Sequence, residues 1–400
     1  MRLVSSGTAD TLWRLPEIRR LVLLTLLGFT GFAATLASLP WWAVRGGASV
    51  SSAGLVTTVM LATTVATQAL VPAMVGRLGT GRSLALGLVA LGAPSPLYLL
   101  STDLGPLLAV SAVRGTGFAV LTVVGSTLTR SLAPAGRHGE VAGLYGLAIA
   151  VPNLVVVPGA VALAQNVGFW PVAALASLPV LAAPLAWTSG GRRPARGSRP
   201  AVVGHRSALL ATLTPAAVLL VVTLAGGGLV TYLPIERPSG LLATAGLLLF
   251  GLTGALGRWR AGVLADRIGT RLLLPAAVLS AAAGLTAVTV GLLTGSDGVL
   301  LVGSALCGAG YGAVQNLTLV IAFARVSPDE TPTASAVWNA AFDAGTALGA
   351  VAVGGLAAWG TAGAGDPAGF GVPHALAVCA ALVAISLPLA LRATRPPRSC

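Results

Sequence analysis

Long apolar runs constrain this chain more than any other feature of its sequence. They follow one another with short polar connections, and most are long enough for a helix to cross about 30 Å of hydrocarbon. Because a bilayer offers no partners to backbone groups, runs this continuous favour helices over barrel strands. We therefore predict an all-α integral membrane protein with twelve spans, at residues 21–44, 53–75, 84–101, 104–129, 141–163, 169–188, 208–234, 239–257, 272–294, 298–323, 333–358 and 372–391.

Composition excludes most other classes of protein. Of the 400 residues, 55% are hydrophobic and only 9% are charged, whereas a soluble domain carries about 25% charged residues. This excludes an ordinary water-soluble enzyme, a disordered chain and a disulfide scaffold. The three cysteines and three histidines are scattered, so their spacing predicts neither a metal site nor a disulfide framework. We expect no cofactor.

The arginines indicate how the chain is oriented in the membrane. All 24 basic residues are arginines. If the N-terminus is cytoplasmic and the spans alternate, 21 of them fall in cytoplasmic segments, while Arg45 and Arg237 lie outside and Arg114 lies within the membrane. This asymmetry follows the positive-inside rule. It predicts that both termini are cytoplasmic, and it explains the net charge of +13 without a nucleic-acid partner.

A polar connector divides the chain into two halves. Residues 189–207 are rich in arginine, glycine and proline, and they separate six spans from six. We predict an N-terminal six-helix bundle at residues 1–188, a cytoplasmic linker at 189–207 and a C-terminal six-helix bundle at 208–400.

An internal repeat supports this division. The sequence RGTGF at residues 114–118 of span 4 parallels CGAGY at 307–311 of span 10. In the same way, residues 76–78 after span 2 parallel residues 262–264 after span 8. Paired halves around a site near the membrane midplane are a transporter design.

The turn between spans 8 and 9 carries the most specific motif. Residues 262–271 read GVLADRIGTR and resemble the loop signature G-x-L-a-D-R-x-G-x-R of the major facilitator superfamily. Arg114 with the two glycines after it resembles the span-4 signature of that family. The corresponding turn in the first half, residues 76–82, is shorter and lacks the aspartate. The residues that match the loop signature, with the arginine that precedes it, are Arg258, Gly262, Asp266, Arg267, Gly269 and Arg271.

The resemblance implies a twelve-helix transporter that works by alternating access and is usually coupled to protons. The chain is most similar to bacterial sugar-efflux-like and drug-efflux-like permeases, which implies a small-molecule substrate and the bacterial cytoplasmic membrane. We expect a monomer in the lipid bilayer. The signature turn would act as a cytoplasmic gate in which Asp266 pairs with Arg267, Arg271 or a helix N-terminus. A solvated, positive-inside turn is the alternative.

Two ionisable residues, Arg114 and Asp343, lie well inside the predicted spans, each about ten residues from a span end. An isolated charge at that depth costs about 2.5–3.5 kcal/mol on insertion scales, so such residues face water or a partner. Because burial favours the neutral form of a carboxyl group, we predict that Asp343 takes up and releases a proton during transport. Arg114 would bind an anionic group of the substrate, balance Asp343 across the cavity, or hold neighbouring helices.

Polar faces on several spans suggest a shared aqueous cavity. In span 11 Asn339 and Asp343 share one helical face. Hydrogen bonding between helices is the alternative for any single polar residue. The other predicted cavity residues are Tyr311 and Gln315 in span 10, Gln68 in span 2, and Tyr145 and Asn153 in span 5.

Three functions compete at this point. The first is a proton-coupled exporter, a proton antiporter, of a small organic molecule, and the second is an importer of a sugar or metabolite with the same fold. The third is a membrane-embedded enzyme, which is disfavoured because the sequence has no HExxH, no GxSxG with partner residues and no carboxylate pair within the spans. An ATP-driven pump is disfavoured because no GxxxxGK[ST] is present. We predict a secondary transporter with no enzymatic activity.

Overall fold

The computed structural model describes Leu12 and residues 15–132, 138–187, 206–238, 241–327, 330–363 and 371–394. Its described secondary structure is helical throughout. In these described residues seventeen α-helices occur in chain order, and a 3₁₀ helix at Ser95–Leu99 lies between α6 and α7. They are α1 (Pro16–Leu36), α2 (Ser38–Arg45), α3 (Val50–Ala53), α4 (Leu55–Gln68), α5 (Val71–Leu78), α6 (Thr80–Gly92), α7 (Leu104–Leu132), α8 (His138–Asn166), α9 (Trp170–Ser177), α10 (Pro179–Trp187), α11 (Arg206–Glu236), α12 (Leu242–Ile268), α13 (Thr270–Thr294), α14 (Asp297–Ala324), α15 (Thr331–Gly363), α16 (Val372–Ile385) and α17 (Leu387–Ala393).

Eleven of the twelve predicted spans are long and apolar enough to cross a membrane in the described part of the chain. The remaining crossing, which we predicted at residues 84–101, consists of α6 and the 3₁₀ helix. It is interrupted because Pro94 and Pro96 lack the backbone N–H that continues a helix. The prediction of an all-α membrane protein is confirmed.

The crossings alternate between two ends of the bundle, which we name after their turns. The Gly79 end carries the turns at Gly79 and Gly269, and the Gly47 end carries those at Gly47 and Gly295. Gly79 has φ of 85° and Gly269 has φ of 77°. Side chains other than glycine rarely tolerate this backbone, so glycine allows one helix to follow another with a single residue between them.

Small residues bring α7 into backbone contact with its neighbours in the first half. A Cβ atom on Gly115 would collide with the Met60 carbonyl of α4, and one on Gly117 would collide with the backbone of α6 at Gly87. Helices in a bilayer associate through this kind of close packing. The RGTGF segment thus fixes α7 between α4 and α6.

The second half repeats these contacts at the equivalent helix, α14. A Cβ atom on Gly308 would collide with the Phe250 carbonyl of α12, and one on Gly310 would collide with the backbone of α13 at Ala281. Because α14 repeats the backbone contacts of α7, we propose two six-helix units, at residues 1–188 and 208–400, as the domain organisation. Residues 189–205 of the connector lie outside the described residues.

The two halves contact each other toward the Gly47 end, where α3 and α4 pack on α15. A Cβ atom on Gly54 of α3–α4 would collide with the Ala350 carbonyl of α15. The same carbonyl accepts a hydrogen bond of 2.8 Å from the Tyr232 hydroxyl of α11. Farther along, the Thr58 hydroxyl donates to the Ala347 carbonyl at 2.8 Å. The bundle is therefore closed at the Gly47 end.

Enlarging Gly354 is expected to open this closed end. A Cβ atom there would collide with the Tyr232 hydroxyl and approach the Ser51 backbone, whereas one on the neighbouring Gly355 would meet nothing within 4 Å. Overpacking costs typically 1–3 kcal/mol, so Gly354→Val is expected to raise the ratio of molecules open at this end to closed molecules about 5- to 150-fold.

Spin labels report this change directly. With Ser49→Cys and Pro238→Cys as labelling sites on the two halves, Gly354→Val should lengthen the distance between the labels, and the matched control Gly355→Val should not. Both labelled positions are exposed. Equal distance distributions in the two variants would contradict the packing argument.

Candidate functional site

Arg114 is fully buried within the first half, with 0% of its surface exposed. Its Nε donates to the Leu91 carbonyl at 2.8 Å, and its Nη2 donates to the Gly31 carbonyl at 2.6 Å. Its Nη1 donates to the Thr35 hydroxyl at 2.8 Å and to the Tyr98 hydroxyl at 3.4 Å. The guanidinium thus joins α7 to α1, to the end of α6 and to the 3₁₀ helix.

The broken third crossing explains why Arg114 finds these acceptors. The last carbonyls of a helix lack intrahelical partners and carry partial negative charge. The Leu91 carbonyl is one of them, because α6 ends one residue later, at Gly92. Asp343 is not among the described partners of Arg114. Of the three roles predicted for this arginine, we therefore propose the one in which it holds neighbouring helices.

Asp343 joins the two halves of the molecule. It lies in α15 with 8% of its surface exposed, and its Oδ2 accepts a hydrogen bond of 3.1 Å from Nε2 of Gln68 at the end of α4. The helix α15 spans Thr331–Gly363, so Asp343 lies twelve residues from its start and four residues from its middle. The predicted position near the midplane stays a prediction.

A second group of polar residues surrounds Tyr311 of α14. Its ring centroid lies 6.4 Å from that of Phe342, the residue before Asp343 on α15. It is one helical turn from the α14 amide that accepts a hydrogen bond from Arg258 of α12. Its ring also packs against α11, where a Cβ atom on Gly226 would collide with it. Tyr311 therefore packs close to the helix positions of both the carboxyl group and the guanidinium.

Arg258 is part of this group, which the sequence did not lead us to expect. Its Nη1 donates to Oε1 of Gln315 in α14 at 3.3 Å, and its side chain is half-buried. The apolar run that predicts span 8 stops at residue 257, but α12 continues to Ile268, so Arg258 lies within the helix. Its predicted place in the cytoplasmic segment before the signature turn stays a prediction.

Aromatic rings line one side of the group and were also missed. The ring centroids of Phe250 and Tyr311 are 5.0 Å apart, those of Tyr311 and Phe342 are 6.4 Å apart, and those of Phe342 and Trp338 are 5.9 Å apart. Phe342 and Trp338 follow the helical spacing of Asn339 and Asp343 along α15, which is the signal that could have found them. The low aromatic content of the chain had hidden this local concentration.

The remaining predicted cavity residues are placed differently. Tyr145 of α8 packs against α7, where a Cβ atom on Gly125 would lie 2.8 Å from its hydroxyl oxygen. Asn153 donates to the Ile149 carbonyl of its own helix at 2.9 Å. Asn339 is half-buried one turn from Asp343. Of the predicted cavity residues, the structure joins Gln68 to Asp343, and it joins Gln315 to Arg258. Tyr145 packs within the first half, whereas the Asn153 carbonyl lies near Gly251 of α12 in the second half.

The signature turn is almost entirely helical. Gly262, Asp266 and Arg267 lie in the last turns of α12, Gly269 forms the turn itself, and Arg271 lies in the first turn of α13. The side chain of Asp266 lies outside the described part of the structure. In the described residues, no cluster of three or more His, Cys, Asp or Glu side chains could hold a metal ion.

A family comparison decides what kind of protein carries this site. The family model of the Major Facilitator Superfamily matches residues 21–350. The chain belongs to the major facilitator superfamily. It is thus a multi-pass transporter of that superfamily, and its substrate is a small molecule that crosses a lipid bilayer. No curated protein matches the sequence significantly.

Solved superfamily structures share the fold over nearly the whole chain. A bacterial homolog of the human lysosomal transporter Spinster, inward-facing and occupied, matches with a TM-score of 0.74 and 16% identity, covering 95% of this chain and 98% of that chain. Its inward-facing, unoccupied form gives a TM-score of 0.72 at 16% identity, with coverage of 95% and 98%. The nucleoside transporter NupG gives 0.73 at 12% identity, with coverage of 96% and 100%. At these identities the likeness shows the fold alone.

Proposed function

We propose that this superfamily member is a proton-coupled secondary transporter that moves a small organic solute by alternating access, with Asp343 as the group that carries the proton. One observation supports this most strongly. A buried carboxyl group in the second half accepts its hydrogen bond from Gln68 in the first half. A change in the charge of Asp343 therefore acts where the two halves meet.

The chemistry of this contact couples protonation to movement. A hydrogen bond to an ionised carboxylate is roughly twice as strong as one between neutral groups, and low dielectric strengthens it further. The ionised form of Asp343 holds Gln68 firmly. Protonation converts the contact into a weaker neutral pair, so the two halves are freer to rock against each other.

The closed Gly47 end supports the assignment of this conformation of the transporter to the inward-facing state. The positive-inside distribution of arginine supports a cytoplasmic position for the Gly79 end, where most basic turns lie. With the opposite end closed, we propose that the site opens toward the cytoplasm. We assign the protein to the bacterial cytoplasmic membrane, with both termini inside, and expect it to act as a monomer without enzymatic activity. The turn at residues 262–271 closes the cytoplasmic side in the alternate state.

Proton-coupled efflux is the direction we propose, from the resemblance to efflux permeases. Proteoliposomes that contain the pH dye pyranine test both coupling and direction against a panel of organic acids, amines and sugars. A transported solute that enters in exchange for protons makes the lumen alkaline, as a proton antiporter requires, whereas acidification indicates entry together with protons and favours uptake. Protein-free liposomes control for passive permeation. Solute entry with no change of internal pH would contradict proton coupling.

A further inference from the structure

We propose that the transported solute is an organic anion and that Arg258 binds its carboxylate or phosphate group beside Tyr311 and Gln315. This inference rests on the proposed transport function and names the substrate class. It assigns anion binding to the second half, to a residue outside the apolar run that the sequence defines.

Arg258 has little compensation for its charge. It lies in α12, a helix long and apolar enough to cross a membrane, and it donates a hydrogen bond to the neutral amide oxygen of Gln315 at the rather long distance of 3.3 Å. Within the described residues, no carboxylate lies within ion-pair distance of it. A guanidinium carries five N–H donors, and an ionisable group within the bilayer indicates a functional role unless it is paired.

Arg114 provides the contrast within the same chain. Its guanidinium is fully buried and directs hydrogen bonds to two backbone carbonyls and two hydroxyl groups. Arg258 is half-buried and retains accessible surface. The two arginines therefore differ: the N–H groups of Arg114 are used by contacts between helices, whereas Arg258 presents donors that a solute can occupy.

The position of Arg258 suits an anion that arrives from the Gly79 end. It lies ten residues before the end of α12 at Ile268, and Asp343 lies twelve residues after the start of α15 at Thr331. At 1.5 Å per residue these two helix ends, both at the Gly79 end, are about 15 Å and about 18 Å away. Tyr311 is one helical turn from Gln315, the hydrogen-bond acceptor of Arg258, and its ring centroid is 6.4 Å from that of Phe342, the residue before Asp343. The anion site and the proton site are therefore adjacent but distinct.

The aromatic rings indicate that the anion carries an apolar or planar body. Tyr311 and Phe342 are half-buried, so each keeps an accessible face, while Phe250 and Trp338 are buried behind them. Such rings offer apolar surface next to the guanidinium fork, which recognises carboxylate and phosphate groups in two-point contacts. An inorganic ion would leave this surface unused.

Thermal stability of the purified full-length protein tests the inference with matched probes. Benzoate, 1-naphthoate and phenyl phosphate are compared with their neutral partners benzamide, 1-naphthamide and phenol. A saturating anion is expected to raise the unfolding midpoint by about 3 °C, because a ligand of the folded state stabilises it, and its neutral partner is not. Arg258→Gln should abolish the shift, and Arg258→Lys should weaken anion binding about tenfold.

Arg260→Gln is the matched control, because Arg260 is two residues away on the same helix and exposed. Equal stabilisation by neutral partners, no stabilisation by any of the three anions, or equal losses in Arg258→Gln and Arg260→Gln would each overturn the inference. If Arg258→Gln does not fold, Arg258→Lys decides, since unchanged anion affinity in that variant contradicts the two-point contact. The assay uses no proton gradient, so anion binding without proton-coupled flux would refute the proposed coupling alone.

Discussion

Replacing Asp343 by asparagine is expected to reduce proton-driven transport to no more than about 1% of the wild-type rate, the loss typical when a required proton-transfer group is removed. Asparagine has nearly the shape of aspartic acid and can still bond to Gln68, but it cannot take up or release a proton. The contact between the halves then stays permanently in its neutral form. Solute-dependent change of internal pH in pyranine-loaded proteoliposomes measures the effect.

Exchange of labelled for unlabelled solute separates loss of coupling from loss of folding. Asp343→Asn should retain such exchange, because the solute can still cross in both directions when no net proton movement is required. Asp297→Asn is the matched control, since Asp297 is exposed in the first turn of α14 and should leave both activities unchanged. Proton-driven flux in Asp343→Asn at the wild-type rate would refute the role of this carboxyl group.

The sequence predicted those features of the fold that depend on hydropathy and local backbone chemistry. Twelve apolar runs, the glycine at position 269 and the arginine asymmetry are all properties of short segments, and the spans and turns followed from them. The ends of the helices were less predictable. The run before Arg258 stops at a charged residue, but a helix ends only where its backbone is interrupted, and α12 continues for three further turns.

The partners of the polar residues could not be predicted, because they depend on how distant helices meet. Asp343 and Gln68 are 275 residues apart, and the sequence around each residue does not indicate that the other is its partner. Arg114 and Asp343 seemed equivalent as ionisable residues inside spans. What separates them is tertiary: the arginine meets the end of α6 within its own half, and the carboxyl group meets a helix of the other half. The repeated glycine motif located the helices correctly but not their side-chain partners.

Replacing Arg114 by alanine is expected to destabilise the transporter by about 3–5 kcal/mol, because it leaves several buried acceptors without a donor and creates a cavity. The change leaves the Gly31 and Leu91 carbonyls without their donor and leaves a void the size of the side chain. Each unsatisfied buried group costs about 1–3 kcal/mol. The midpoint of thermal unfolding should fall by roughly 10 °C, and the yield of folded protein should fall with it.

The same variant separates the two uses of arginine in this membrane protein. Arg77→Ala, at an exposed position in the last turn of α5, is the control and should leave the midpoint nearly unchanged. Arg114→Lys keeps the charge but has no planar fork to reach three helical segments at once, so it should restore only part of the stability. If Arg114 instead bound the solute, its replacement would weaken binding without loss of stability. A stable Arg114→Ala protein that fails to bind would therefore reverse the roles assigned to Arg114 and Arg258.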